Sequence, residues 1–181
     1  IDILQDKVTV TENNQEVEKS GLKAGKTYGD SKVVTLELLE DMPQKNDATQ
    51  PAYIQGSVNP DPKDGKIPTK GAVFKIKPVK SVNFTFDLYS ISKKTYWLVN
   101  ESGKYDGIKG EITGSDTAPE TPSLNFELHA GETYYFYVQG SKAMVTDISY
   151  KKWTTNIDIL QDKVTVTENN QEVEKSGLKA G

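Results

Sequence analysis

Residues 72–90 read AVFKIKPVKSVNFTFDLYS, two runs in which every second residue is apolar. Ala72, Phe74 and Ile76 alternate with Lys75 and Lys77, and Val82, Phe84, Phe86 and Leu88 alternate with Asn83, Thr85, Asp87 and Tyr89. Successive side chains of a strand point to opposite faces, so each run has one core face and one wet face. Helical spacing, with apolar residues three and four apart, does not recur in the chain.

Working outward, the same period of two picks out 7–11 (KVTVT), 33–39 (VVTLELL), 52–56 (AYIQG), 95–99 (TYWLV), 110–113 (GEIT), 123–129 (SLNFELH), 133–139 (TYYFYVQ) and 143–150 (AMVTDISY). Clusters of Pro, Gly, Asp and Ser at 59–68, 101–107 and 114–122 supply the reversals. Residues 12–21 (ENNQEVEKSG) are polar throughout and read as a loop or linker. Short strands at this spacing without helices predict an all-β chain, an antiparallel β-sandwich of jelly-roll or Ig-like topology with about nine to ten strands.

Aromatic residues are the first candidates for a binding surface. In TYYFYVQ, Tyr135, Tyr137 and Gln139 fall on the face opposite Tyr134, Phe136 and Val138, so two tyrosines are expected to point outward or sit at a rim. Either they contact a ligand or they reflect the general preference of strands for tyrosine. Tyr96 and Trp97 are adjacent in one strand, so one ring faces the core and the other is a platform for a sugar ring.

Several chemistries are excluded or disfavoured by residue counts. The chain has no cysteine and one histidine, His129, which removes disulfides, thiolate metal sites and two-histidine zinc sites. His129 reads as a solvated strand-end residue. All 22 basic residues are lysine, so the bidentate guanidinium fork is missing. A formal charge of −4 argues against nucleic acid as a partner, and no apolar run is long enough for a membrane span. The acidic turn DPKDG (61–65) is too short in oxygen ligands for an EF-hand-like site and reads as a plain turn. No cofactor, metal site or catalytic residue is indicated.

Residues 157–181 repeat residues 1–25 letter for letter, at an offset of 156. Three origins account for this: a tandem array of near-identical modules, an engineered supply in cis of a strand that a neighbour normally donates, or an artefact of assembly. The array sets two copies of KVTVT, at 7–11 and 163–167, in competition for one sandwich edge, with only one of them paired within the chain. The organisation expected is a linker or edge strand at 1–21, a sandwich module at 22–152, and a linker plus the start of a next repeat at 153–181.

Three stretches carry a resemblance: YIQGSVNPDPKDGKIPTKGAVFKIKP (53–78), KSVNFTFDLYSISKKTYWLVNESG (80–103) and FELHAGETYYFYVQGSKAMVTDISY (126–150). A Gly-rich turn leads into an aromatic core strand, an aliphatic strand ends in N-x-S-G, and the last stretch holds AGETYYFYVQGSK. Together these resemble carbohydrate-binding module family 77, the pectin-binding sandwiches of secreted bacterial polysaccharide-degrading proteins, over about residues 22–152. The resemblance implies a non-catalytic, extracellular or cell-surface module that binds a polyuronate through lysines. In the matching regions these are Lys93, Lys94 and Lys142, with Tyr96 and Trp97 as aromatic neighbours. The alternative is a structural or adhesive repeat of a large surface or fibrous protein, whose partners are neighbouring copies of the same module.

Overall fold

The computed structural model describes residues 1–4, 6–12, 14–62, 64–102, 107–153, 164–168 and 171–175. The strands are β1 (Asp6–Glu12), β2 (Gln15–Leu22), β3 (Tyr28–Asp30), β4 (Val34–Leu38), β5 (Met42–Asp47), β6 (Gln50–Ile54), β7 (Val73–Pro78) and β8 (Val82–Tyr89). They continue with β9 (Lys94–Asn100), β10 (Ile108–Ile112), β11 (Ser123–Leu128), β12 (Tyr134–Val138), β13 (Met144–Lys152), β14 (Val164–Glu168) and β15 (Gln171–Lys175). No helix occurs among the described residues.

Two antiparallel sheets form, with strand orders β1-β2-β5-β6-β13-β8-β11 and β10-β9-β12-β7-β4-β3. From β6 to β11 the chain passes repeatedly from one sheet to the other. β12 then inserts between β9 and β7, and β13 between β6 and β8. The inner faces meet through Phe86 of β8, whose ring stacks on Phe136 of β12 at 4.3 Å and meets Phe74 of β7 edge-on at 5.1 Å. The alternation of 72–90 fixes this contact: Phe74, Ile76, Val82, Phe84 and Phe86 are all fully buried. Each such side chain contributes about 1.5–3 kcal/mol on leaving water.

Every strand read from the sequence has its counterpart, but there are more strands than the nine to ten expected. Residues 12–21 are not a loop. β2 pairs with β1 over its whole length, from Asp6↔Gly21 to Glu12↔Gln15, across a tight turn in which Asn14 takes φ 62°. Asparagine tolerates that left-handed conformation, which suits a two-residue hairpin turn. β3 and β5 are also additional. β5 opens Met42-Pro43, and Met42 is its one fully buried apolar side chain, which hides its strand character.

Both KVTVT copies are paired within the chain, where only one was expected to be. Each pairs with the segment that follows it, and the register is the same, with Val8↔Lys19 in the first hairpin and Val164↔Lys175 in the second. What differs is the surroundings: β2 continues into the seven-stranded sheet through Gly21↔Pro43 and Leu22↔Met42, while β14 and β15 form a sheet of two.

Candidate functional site

The outer face of the six-stranded sheet is not the open aromatic platform that alternation suggested. Tyr135 and Tyr137 do lie on that face, yet Tyr137 is fully buried and Tyr135 is 5% exposed. They form a second apolar cluster with Val73 and Val99, flanked by Leu39 and Trp97. The cover is the β6–β7 connection. Its Gly65 amide donates to the Tyr137 hydroxyl at 3.0 Å, and that hydroxyl donates to the Lys66 carbonyl at 2.9 Å. Gly65 takes φ +79° directly over Trp97, where a Cβ would come within 2.8 Å of the indole ring. Only glycine meets both demands, the left-handed backbone and the contact with the ring.

Tyr135 donates to Glu101, and burial followed by that carboxylate pushes its phenol pKa up. Trp97 donates from Nε1 to Gln139 at 2.8 Å, Gln139 in turn donates to Asp64, and the Lys109 ammonium lies 5.4 Å from the indole centroid. Trp97 is therefore the outward ring of its pair, half-buried beneath the connection. Tyr96 turns inward, edge-on to Phe126 at 6.0 Å and packed against the core, with Gly110 on the neighbouring strand leaving room for its ring.

The lysines gather at the rim beside this cover. β12 lies next to β9, and the Gln139 backbone N–H donates to the Thr95 carbonyl at 2.8 Å, which brings the β12–β13 turn alongside the start of β9. Lys94 is half-buried there. Desolvation, then repulsion from Lys142, holds its pKa below the ordinary lysine value. Among the described residues no carboxylate lies within 4 Å of either ammonium. Lys93 differs: it is exposed and paired with Glu111 at 2.9 Å.

Lys142 also lines a cleft of about 390 Å³ with Ser57, Val58, Asn59, Pro60, Asp61, Lys70 and Gly140. Lys70 is tied to Asp61 at 3.1 Å. Buried Gln55 braces the turn, donating to the Lys142 carbonyl at 3.4 Å and accepting from Lys45 Nζ at 3.1 Å. Gln55, Lys45 and the cleft were not anticipated, since nothing in the spacing of 45, 55 and 142 relates them.

His129 is half-buried, edge-on to Trp153 at 5.2 Å. Trp153 anchors the end of β13 by donating its backbone N–H to the Ser81 carbonyl at 3.1 Å and its indole N–H to Asn83 at 2.9 Å. Among the described residues no group of three or more His, Asp or Glu is placed to hold a metal ion. Nor is any helix there long and apolar enough to cross a membrane.

No protein-family model matches the chain, and no curated protein and no solved structure is detectably similar to it.

Proposed function

We propose that the protein is a non-catalytic, extracellular carbohydrate-binding module of jelly-roll topology that takes an acidic polysaccharide such as pectin at the Lys94–Lys142 rim. What supports the jelly-roll reading is the pair of strand sets β6-β13-β8-β11 and β7-β12-β9-β10, with successive strands from β6 to β13 alternating between them except at β9 and β10. The observation that carries the function is Lys94, half-buried against the Lys142 ammonium with no carboxylate within 4 Å of either among the described residues. Such a pair is unfavourable alone and relieved by an anion. Polygalacturonate carries one carboxylate per sugar and offers many weak contacts along one chain, and the cleft that Lys142 lines gives the polymer room to continue past the pair.

The test is affinity electrophoresis through polygalacturonate, highly methylesterified pectin, xylan, mannan and xyloglucan. Retardation is expected in polygalacturonate. At about 0.2–1 kcal/mol per partly exposed charge contact, Lys94→Met with Lys142→Met is expected to weaken it several-fold. Unchanged migration of the intact protein in all five gels would reject the reading.

A second reading, a structural or adhesive repeat, is favoured by the duplicated hairpin, which forms in the same register at both places.

A further inference from the structure

The β1–β2 hairpin sits in a slot whose walls belong to the rest of the sandwich. Leu22, fully buried, and Gly21 pair with Met42 and Pro43 of β5. Ile3 is buried in the core, and the Ile1 nitrogen donates to the Ile148 carbonyl at 2.7 Å. Asp6 accepts from Lys26 at 2.6 Å and from the Tyr28 hydroxyl. Residues 157–181 carry every hairpin-side member of these contacts, as Ile157, Ile159, Asp162, Gly177 and Leu178. The duplicated stretch includes none of the slot-side members, and among the described residues β14 and β15 pair only with each other.

We propose that the two copies are interchangeable occupants of one slot, and that the C-terminal copy of one molecule docks into the slot of a second molecule, joining chains head to tail. Reach decides against the molecule's own slot. Trp153 is pinned to Ser81 and Asn83, and β13 runs straight toward it from Ile148. At 3.2–3.4 Å per residue it lies about 16 Å beyond the Ile148 carbonyl that Ile157 would have to meet. Four fully extended steps from Trp153 to Ile157 span about 14 Å, which with the 2.7 Å hydrogen bond only just matches that distance, and the chain must also spend residues on reversing direction to run back along β13. A second molecule's slot has no such limit. In the intact chain the first copy holds its slot at high local concentration, so exchange emerges when that copy is weakened. The exchange deepens the repeat reading and rests on it for its use.

Gly21→Val separates docking from hairpin formation. A Cβ on Gly21 would lie 2.3 Å from the Met42 carbonyl oxygen and 2.8 Å from the Gln44 nitrogen, both β5 backbone. Valine itself is a good strand residue within the hairpin. In the 181-residue chain, Gly21→Val is expected to show an apparent mass that rises with concentration by twofold or more in light scattering. Gly21→Val with Gly177→Val is expected to stay monomeric and melt several degrees lower. Equal mass and melting temperature for the two variants would overturn the exchange. A monomeric single variant that melts above the double one would place the copy in its own slot and overturn the second-molecule occupant.

An independent measurement keeps the idea exposed if Gly21→Val fails to fold. A fluorescent peptide of residues 1–25, incubated with the intact chain, is expected to co-elute with it, and the same peptide carrying Gly21→Val is not. Absence of co-elution with the unmodified peptide counts against the slot as an exchange site. The repeat reading is struck down separately, by flanking sequence that lacks further copies.

Discussion

Tyr137→Phe tests whether the β6–β7 connection is a bonded cover over the six-stranded sheet. The substitution keeps the ring, which is fully buried, and deletes a hydroxyl that accepts from Gly65 and donates to Lys66. Each bond contributes about 0.5–1.5 kcal/mol net, so the loss is about 1–3 kcal/mol. For a domain of this size, with about 2–4 °C per kcal/mol, the melting temperature is expected to fall by about 2–12 °C. The location of the loss is more informative than its size. Hydrogen exchange should accelerate over residues 59–71, Gly65 foremost, while β8 and β12 keep their protection, because Phe86 and Phe136 do not depend on the hydroxyl. An unchanged melting temperature with unchanged exchange at Gly65 would refute the bonded cover. Uniform acceleration across both sheets would show instead that the connection belongs to the global folding unit.

Two further outcomes concern titration. Lys94 has a depressed pKa in the folded state, so the fold releases its proton before the unfolded chain does, and stability is expected to rise with pH in the window just below 10.5. Binding of an acidic polymer favours the charged form; its affinity is therefore expected to fall across the same window, a dependence that Lys94→Met removes in pH-resolved calorimetry. Asp6 is held below the ordinary aspartate value of 3.8 first by Lys26 and then by Tyr28. The stability this adds is present above that value and lost as pH falls through the folded one. Acid titration monitored by exchange at β1 and β2 is expected to show the first hairpin loosening before β8, and Asp6→Asn is expected to abolish the difference.

What was legible in the sequence depended on which face of each element meets apolar atoms. The strands at 72–90, 123–129 and 133–139 announce themselves because one face lies in the phenylalanine core. β2 does not, since only Gly21 and Leu22 of its eight residues enter the sandwich and the rest pair with β1 at a sheet edge. For the same reason the outward tyrosines misled: alternation assigns Tyr137 to the outer face but says nothing of a loop 70 residues earlier that closes over it. Lys94 and Lys142 were both marked as candidates, but their proximity arises from β12 inserting beside β9, a long-range pairing that no local pattern encodes.

The slender attachment of the first hairpin has a mechanical consequence. Sheet pairing joins it to the sandwich only through Gly21↔Pro43 and Leu22↔Met42, close to where tension from a preceding neighbour would enter. Under load this junction is expected to yield before the interleaved strands of the two sheets, a sequence that single-molecule pulling would reveal as a first short step. Freeing 25 residues at 3.3–3.6 Å each turns the hairpin into a tether at most about 85 Å long, with the sandwich expected to stay folded.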